Sequence, residues 1–209
     1  MKRLAIWTLA LALVLQIVWL AVRHYRHHAG MQDLWYALVM TVGFAALAVT
    51  RARVRWIAAI PRILVGLAFT SAVCDRLGLM GGPGSPGVAW GTFPVFVTYT
   101  RQINAFLPAA IIPSLALVET IIEGALGLAM LIGWKVRTAA WGSMLLLLTF
   151  VTAMTISFGF PSQFAYAVLV MAAGAWLLAT SDASFLSVDG LIERLAQRKS
   201  PAHTTTANL

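Results

Sequence analysis

Six apolar blocks alternate with short polar breaks along this chain, and the alternation predicts six membrane-crossing helices; the second block contains Gly43 and follows a polar approach, so a four- or five-span reading stays open. The blocks run over about 4–22, 32–50, 57–79, 109–133, 138–158 and 162–181. About 18 or more consecutive apolar residues suffice to cross ~30 Å of hydrocarbon as a helix. The breaks are Arg23-His-Tyr-Arg-His-His28, Arg51-Ala-Arg-Val-Arg55, the long loop Met80 to Phe106, Trp134-Lys-Val-Arg137 and Gly159-Phe-Pro161. Lys2 and Arg3 precede the first block, in the manner of a signal peptide. That block exceeds the usual h-region of about 7–15 residues and lacks a small-x-small cleavage site, so it reads as a retained signal-anchor helix. After Ser181 the chain leaves the membrane. Phe185 to Arg198 reads as an interfacial amphipathic helix, and the Ser/Pro/Thr tail beyond it as disordered.

The long loop divides in two. Met80-Gly-Gly-Pro-Gly-Ser-Pro-Gly87 holds too much glycine and proline for a regular element. Trp90-Gly-Thr-Phe-Pro-Val-Phe-Val-Thr-Tyr99 is aromatic, and such residues prefer the membrane interface. This half is expected to lie on or dip into the outer leaflet, as a plain anchor or as a binding segment.

Composition agrees with the pattern. Hydrophobic residues fill 60% of 209 positions and charged ones only 11%, against roughly 25% charged in a soluble domain. The net charge of +8 does not indicate nucleic acid, because the cations sit in short loops between apolar blocks. With the N-terminus inside, the cytoplasmic face takes Lys2, Arg3, Arg51, Arg53, Arg55, Arg62, Lys135, Arg137, Arg194, Arg198 and Lys199. The other face takes Arg23, Arg26, Arg76 and Arg101. That asymmetry predicts both termini in the cytoplasm. The single cysteine, Cys74, excludes an internal disulfide and a dithiol motif; one turn from the end of its span, it reads as a packing residue. No span contains a histidine, so paired histidines between helices cannot ligate haem. His24, His27 and His28 lie in a short loop without a neighbouring carboxylate or cysteine, and read as a polar turn, not a metal site.

Glu119 and Glu123 are the most informative residues. They stand four apart in an apolar block, hence on one face of a helix. An ionised carboxylate there costs on the order of 2.5–3.5 kcal/mol, so each is expected to face the bundle interior and find a partner. Two readings stay open: a proton-handling or ligand-orienting site, and an ion pair that ties helices together. Counting at ~1.5 Å per residue from the span ends matches Arg62 in depth with Glu123, and Arg76 with Glu119. Gly124 and Gly127 are expected to permit close helix contact.

Several of these residues form an ordered set that resembles the DoxX family of small bacterial membrane proteins. The set runs Arg62-x3-Gly66-x2-Phe69-x2-Ala72, Asp75-Arg76-x-Gly78 and Trp90-Gly-x-Phe93-x2-Phe96-x2-Tyr99. It continues through Asn104-x3-Pro108 and Glu123-x3-Gly127-x5-Gly133-x3-Arg137 to Ala172-Ala-Gly-Ala-x-Leu-Leu-Ala179. The resemblance covers about residues 60–181 and implies an all-α membrane protein. A four-helix bundle over about 57–181 would follow a two-helix hairpin over 1–55, with a cytoplasmic segment over 182–209. It implies a bacterial inner-membrane location and an accessory or electron-transfer subunit, itself non-catalytic, of a quinone-linked oxidoreductase. Its expected ligand is a quinone, without haem or metal. Its expected partners are the lipid bilayer and a redox protein or second copy, not nucleic acid. By residue it singles out Arg62, Asp75, Arg76, Trp90, Tyr99, Asn104 and Glu123; Glu119 falls outside its pattern. The quinone head group is expected near the outer leaflet, hydrogen-bonded by Arg76, Tyr99 or Asn104. Two other functions stay open: a small proton-coupled transporter using Glu123, and a structural anchor for a partner enzyme.

Overall fold

Residues Lys2–His27 form a first helix, α1, whose buried face reads Ala5, Leu9, Ala12, Leu13, Gln16 and Leu20. These positions recur with the helical period. The opposite face is also apolar, with Trp7, Leu11, Val14, Ile17 and Val18 exposed. A helix that is apolar all round and exposed on one side suits lipid, not water. The other long helices, Arg55–Arg76, Ile112–Ile132 and Val136–Phe158, likewise expose apolar side chains outward, and the chain is an all-α polytopic membrane protein.

The computed structural model describes residues 1–199; the expected disordered tail lies outside these. After α1 come α2 (Met31–Val49), α3 (Arg55–Arg76), α4 (Phe93–Ile103) and α5 (Ile112–Ile132). Then follow α6 (Val136–Phe158), α7 (Val168–Ala179) and α8 (Val188–Lys199). Among the described residues four helices are long and apolar enough to cross a membrane: α1, α3, α5 with its leading 3-10 turn, and α6. The 3-10 segment Phe160–Tyr166 and α7 reach that length and apolarity only when taken together, and a 69° bend separates them. The expected sixth block is therefore two bent pieces, not one straight helix. Ala167, in the left-handed region at φ 51°, marks the break. α2 has a shorter apolar part, Asp33–Val49, yet it returns the chain to the end where α1 starts, since Lys2 Nζ donates to the Ala52 carbonyl at 3.3 Å.

The aromatic half of the long loop is more regular than its first half. It is the helix α4, entered through an extended Thr92 with a proline in its first turn, where a missing N–H costs nothing. Its Phe96, Thr100 and Ile103 are buried, and it packs on α5 and α6. Helical spacing of large apolar residues thus turns the segment inward, onto the bundle.

α3 and α5 lie antiparallel and close. A Cβ on Gly127 would meet Thr70 Oγ1 at 2.9 Å, and one on Gly66 would meet the Leu131 backbone nitrogen at 2.9 Å. Gly124 faces Val73 one turn on. α7 is the central element, with ten of its twelve residues buried; it touches α1, α2, α3 and α6. The small run Ala172-Ala-Gly-Ala175 allows this, since Phe44 of α2 occupies the space a Gly174 side chain would need. The first two helices share one apolar core with α3, α6 and α7.

One end of the bundle is basic, gathering Lys2, Arg3, Arg51, Arg53, Arg55, Lys135 and Arg137, with α8 lying there too. Asp189 of α8 accepts hydrogen bonds from the Lys135 and Val136 N–H groups, both at 2.8 Å. It thereby caps the start of α6. Arg55 pairs with Asp182. Burial pushes the Asp182 carboxyl up, but the Ser184 hydroxyl and N–H, together with Arg55, outweigh it and hold the group below the usual carboxylate range.

Candidate functional site

At the other end, α3 finishes in Asp75-Arg76, and the two neighbours point to different sides of the helix. Asp75 turns toward the long loop. Its carboxylate accepts hydrogen bonds from the N–H groups of Ala89 (2.8 Å), Trp90 (3.2 Å) and Gly91 (2.7 Å). Gly91 is required there: its φ is +68°, and a Cβ would come within 2.4 Å of the Pro83 nitrogen. Asp75 thus positions Trp90, whose ring lies 5.1 Å from that of Phe96 and 5.7 Å from that of Tyr99.

Arg76 turns inward and is only 3% exposed. One guanidinium nitrogen lies 2.6 Å from Glu123 Oε2 and 3.8 Å from Glu119 Oε1. The close contact is a buried ion pair. The other terminal nitrogen donates to Thr120 Oγ1 at 3.2 Å. The guanidinium carbon sits 3.7 Å from the Phe96 ring centre and 5.1 Å from that of Trp90, so aromatic faces share its charge. Two carboxylates here face one cation. With both ionised, one negative charge has no counter-charge among the described residues.

These groups border a cavity of about 120 Å³. One water needs about 10–15 Å³ on this measure, so there is room for several waters or a small planar ring. The walls come from most of the bundle: Tyr36 of α2, Phe69 and Ala72 of α3, Trp90, Phe96 and Tyr99 at α4, Phe150 and Met154 of α6, and Tyr166 and Met171 around the break before α7. Of the residues singled out by sequence, the structure brings Arg76, Trp90, Tyr99, Glu119 and Glu123 together at this cavity, with Asp75 behind Trp90.

Arg62 and Asn104 lie elsewhere. The expected Arg62–Glu123 pair does not form. Arg62, fully buried, donates instead to backbone carbonyls: Met130 at 3.0 Å, Phe185 at 3.2 Å and Leu186 at 2.9 Å. Two physical reasons decide this. Helical side chains lean toward their own N-terminus, so Arg62 reaches back to the basic end while Arg76 reaches into the bundle. On antiparallel α5, Glu119 and Glu123 lean toward Arg76. The last turn of α5 also leaves carbonyls without helical partners at the negative end of its dipole, which suits a cation. Gly133 completes the arrangement at φ +70°, where a Cβ would collide with Arg62 and Ser187. Asn104 ends α4, its side-chain amide donating to the Thr100 carbonyl at 3.0 Å. It borders a separate shallow groove beside α6.

Sequence reasoning missed Tyr36, Thr120, Phe150 and Tyr166. Thr120 stands between the two glutamates, and a tyrosine inside an apolar block is a weak polar signal; for Phe150 there was none. The three histidines form no metal-binding group, and none occurs among the described residues. His24 contacts the Ala29 carbonyl oxygen at 3.3 Å. Comparison with family models, curated proteins and solved structures finds no match to this chain.

Proposed function

We propose that the cavity receives the head group of a quinone-class carrier, held for a partner oxidoreductase in a bacterial inner membrane. The observation that carries this reading is a small aromatic-walled cavity, inside apolar helices, with one guanidinium and two carboxylates at its edge. Aromatic walls suit a planar ring. Arg76 and the hydroxyls of Tyr36, Tyr99 and Tyr166 are donors for its carbonyl oxygens. Reduction of a quinone to a quinol takes two electrons, which the partner enzyme supplies, and two protons, for which Glu119 and Glu123 are the adjacent carriers. The DoxX resemblance supports the same reading.

The test uses the full chain. Organic extraction of protein purified from its own membranes is expected to release a quinone identifiable by mass. A short-chain quinone is expected to quench tryptophan fluorescence, with Trp90 as reporter. Arg76→Gln should weaken that binding about tenfold or more, the loss of roughly one charge-assisted hydrogen bond. Neither co-purified quinone nor quenching would sink the proposal. The carboxylate excess favours one rival: proton flux in liposomes without quinone, abolished by Glu123→Gln, would assign the site to proton-coupled transport.

The orientation we propose places the basic end in the cytoplasm, from the loop charges. A reporter inserted at Gly84 is expected to read outside and one at Arg53 inside; a cytoplasmic signal at Gly84 would reverse the orientation.

A further inference from the structure

We propose a second site, for the phosphate head group of an anionic phospholipid, in the groove between the start of α1 and the turn joining α2 to α3. The groove encloses about 660 Å³. Four cations border it: Lys2 and Arg3 from α1, and Arg51 and Arg53 from the turn. No ion pair among the described residues involves any of the four. α1 begins here as well, which adds the positive end of its dipole.

The turn presents these cations at some cost to its own backbone. Arg51 and Ala52 occupy the left-handed region in succession, at φ 51° and 47°, a conformation disfavoured for residues with a Cβ. Lys2 Nζ contacts the Ala52 carbonyl at 3.3 Å, which holds the turn against α1. Arg51 and Arg53 then flank the buried Ala52, and both are exposed.

The lower wall of the groove decides between a lipid and a free anion. Ile6, Trp7 and Ala10 line it; Ile6 and Trp7 stand four and three residues before Ala10, hence beside it on one face of α1. Trp7 is 73% exposed. A phosphate held by the cations would have its acyl chains running down this apolar face, whereas a soluble phosphate would leave it uncovered. Basic pockets beside membrane helices at such an interface suit anionic head groups.

The full chain in nanodiscs tests this with brominated lipids, which quench tryptophan on contact. The Trp7 signal is taken as the difference from Trp7→Phe. Brominated phosphatidylglycerol is expected to quench Trp7 several-fold more than brominated phosphatidylcholine at equal mole fraction. Arg51→Gln and Arg53→Gln should each lower that preference by roughly fivefold, while Arg137→Gln, at the same end but outside the groove, leaves it unchanged. Equal quenching by the two lipids would overturn the proposal, as would an equal loss in Arg137→Gln. Displacement by millimolar inorganic phosphate would overturn the lipid assignment in favour of a soluble phosphate site.

Discussion

Replacing Arg76 by leucine is expected to destabilise the detergent-solubilised protein by about 3–5 kcal/mol, the usual effect of stripping one partner from a buried ion pair. Glu119 and Glu123 would then be buried with no cation beside them, and Thr120 would lose the donor to its hydroxyl. Glu123→Leu should cost less, because Glu119 stays near Arg76 to balance part of its charge. The double change Arg76→Leu with Glu123→Leu should recover much of the single-mutant loss. Denaturant unfolding of the four proteins gives the coupling free energy directly. Additive losses would show that the 2.6 Å contact contributes nothing and that the carboxylates are held in another way. The equivalent cycle on Arg62 and Glu123 should be additive within about 0.5 kcal/mol, since the two share no partner.

Arg62→Met should produce a second large loss, of at least about 3 kcal/mol, by a different route. It keeps much of the side-chain volume and removes the donors to three backbone carbonyls, each expensive to bury unmet. Two of those carbonyls belong to the turn before α8, so the loss should concentrate there. Hydrogen exchange across 185–197 is expected to accelerate, while quinone quenching of the site at Arg76 changes little. Unaltered exchange in that segment would mean that Asp189, capping α6, holds α8 without help. Impaired ligand binding at normal stability would return Arg62 to the functional site.

Much of this was legible along the chain. Block lengths and the placement of cations dictate a helical membrane protein, because hydrocarbon tolerates only backbone whose hydrogen bonds are met internally. The breaks at Arg51–Arg55 and Trp134–Arg137 fall within a residue or two of the helix ends. Glu119 and Glu123 stood out because carboxylates inside apolar blocks demand partners. The close approach of α3 and α5 was likewise written in Gly127, whereas a Cβ on Gly124 would meet Val73 only at ordinary contact distance.

Partner choice was not legible. Depth counting matched Arg62 with Glu123 and Arg76 with Glu119, because it counts residues and ignores direction; Arg76 takes both glutamates. The lean of side chains toward the helix N-terminus, combined with the antiparallel register of α3 on α5, separates them. Tyr36 and Tyr166 could not be assigned to the cavity by any local pattern, since they reach it only once α2 packs beside α7 and the last span breaks at Ala167. Asp75 was singled out in sequence only through the resemblance, without a partner; the fold of the loop brings three N–H groups onto its carboxylate. The sequence by itself determined which segments enter the membrane and which residues there need a counterpart, since both follow from local solvation. Which counterpart each found was decided by tertiary structure, because it depends on relative position between helices, and no spacing within one helix encodes that.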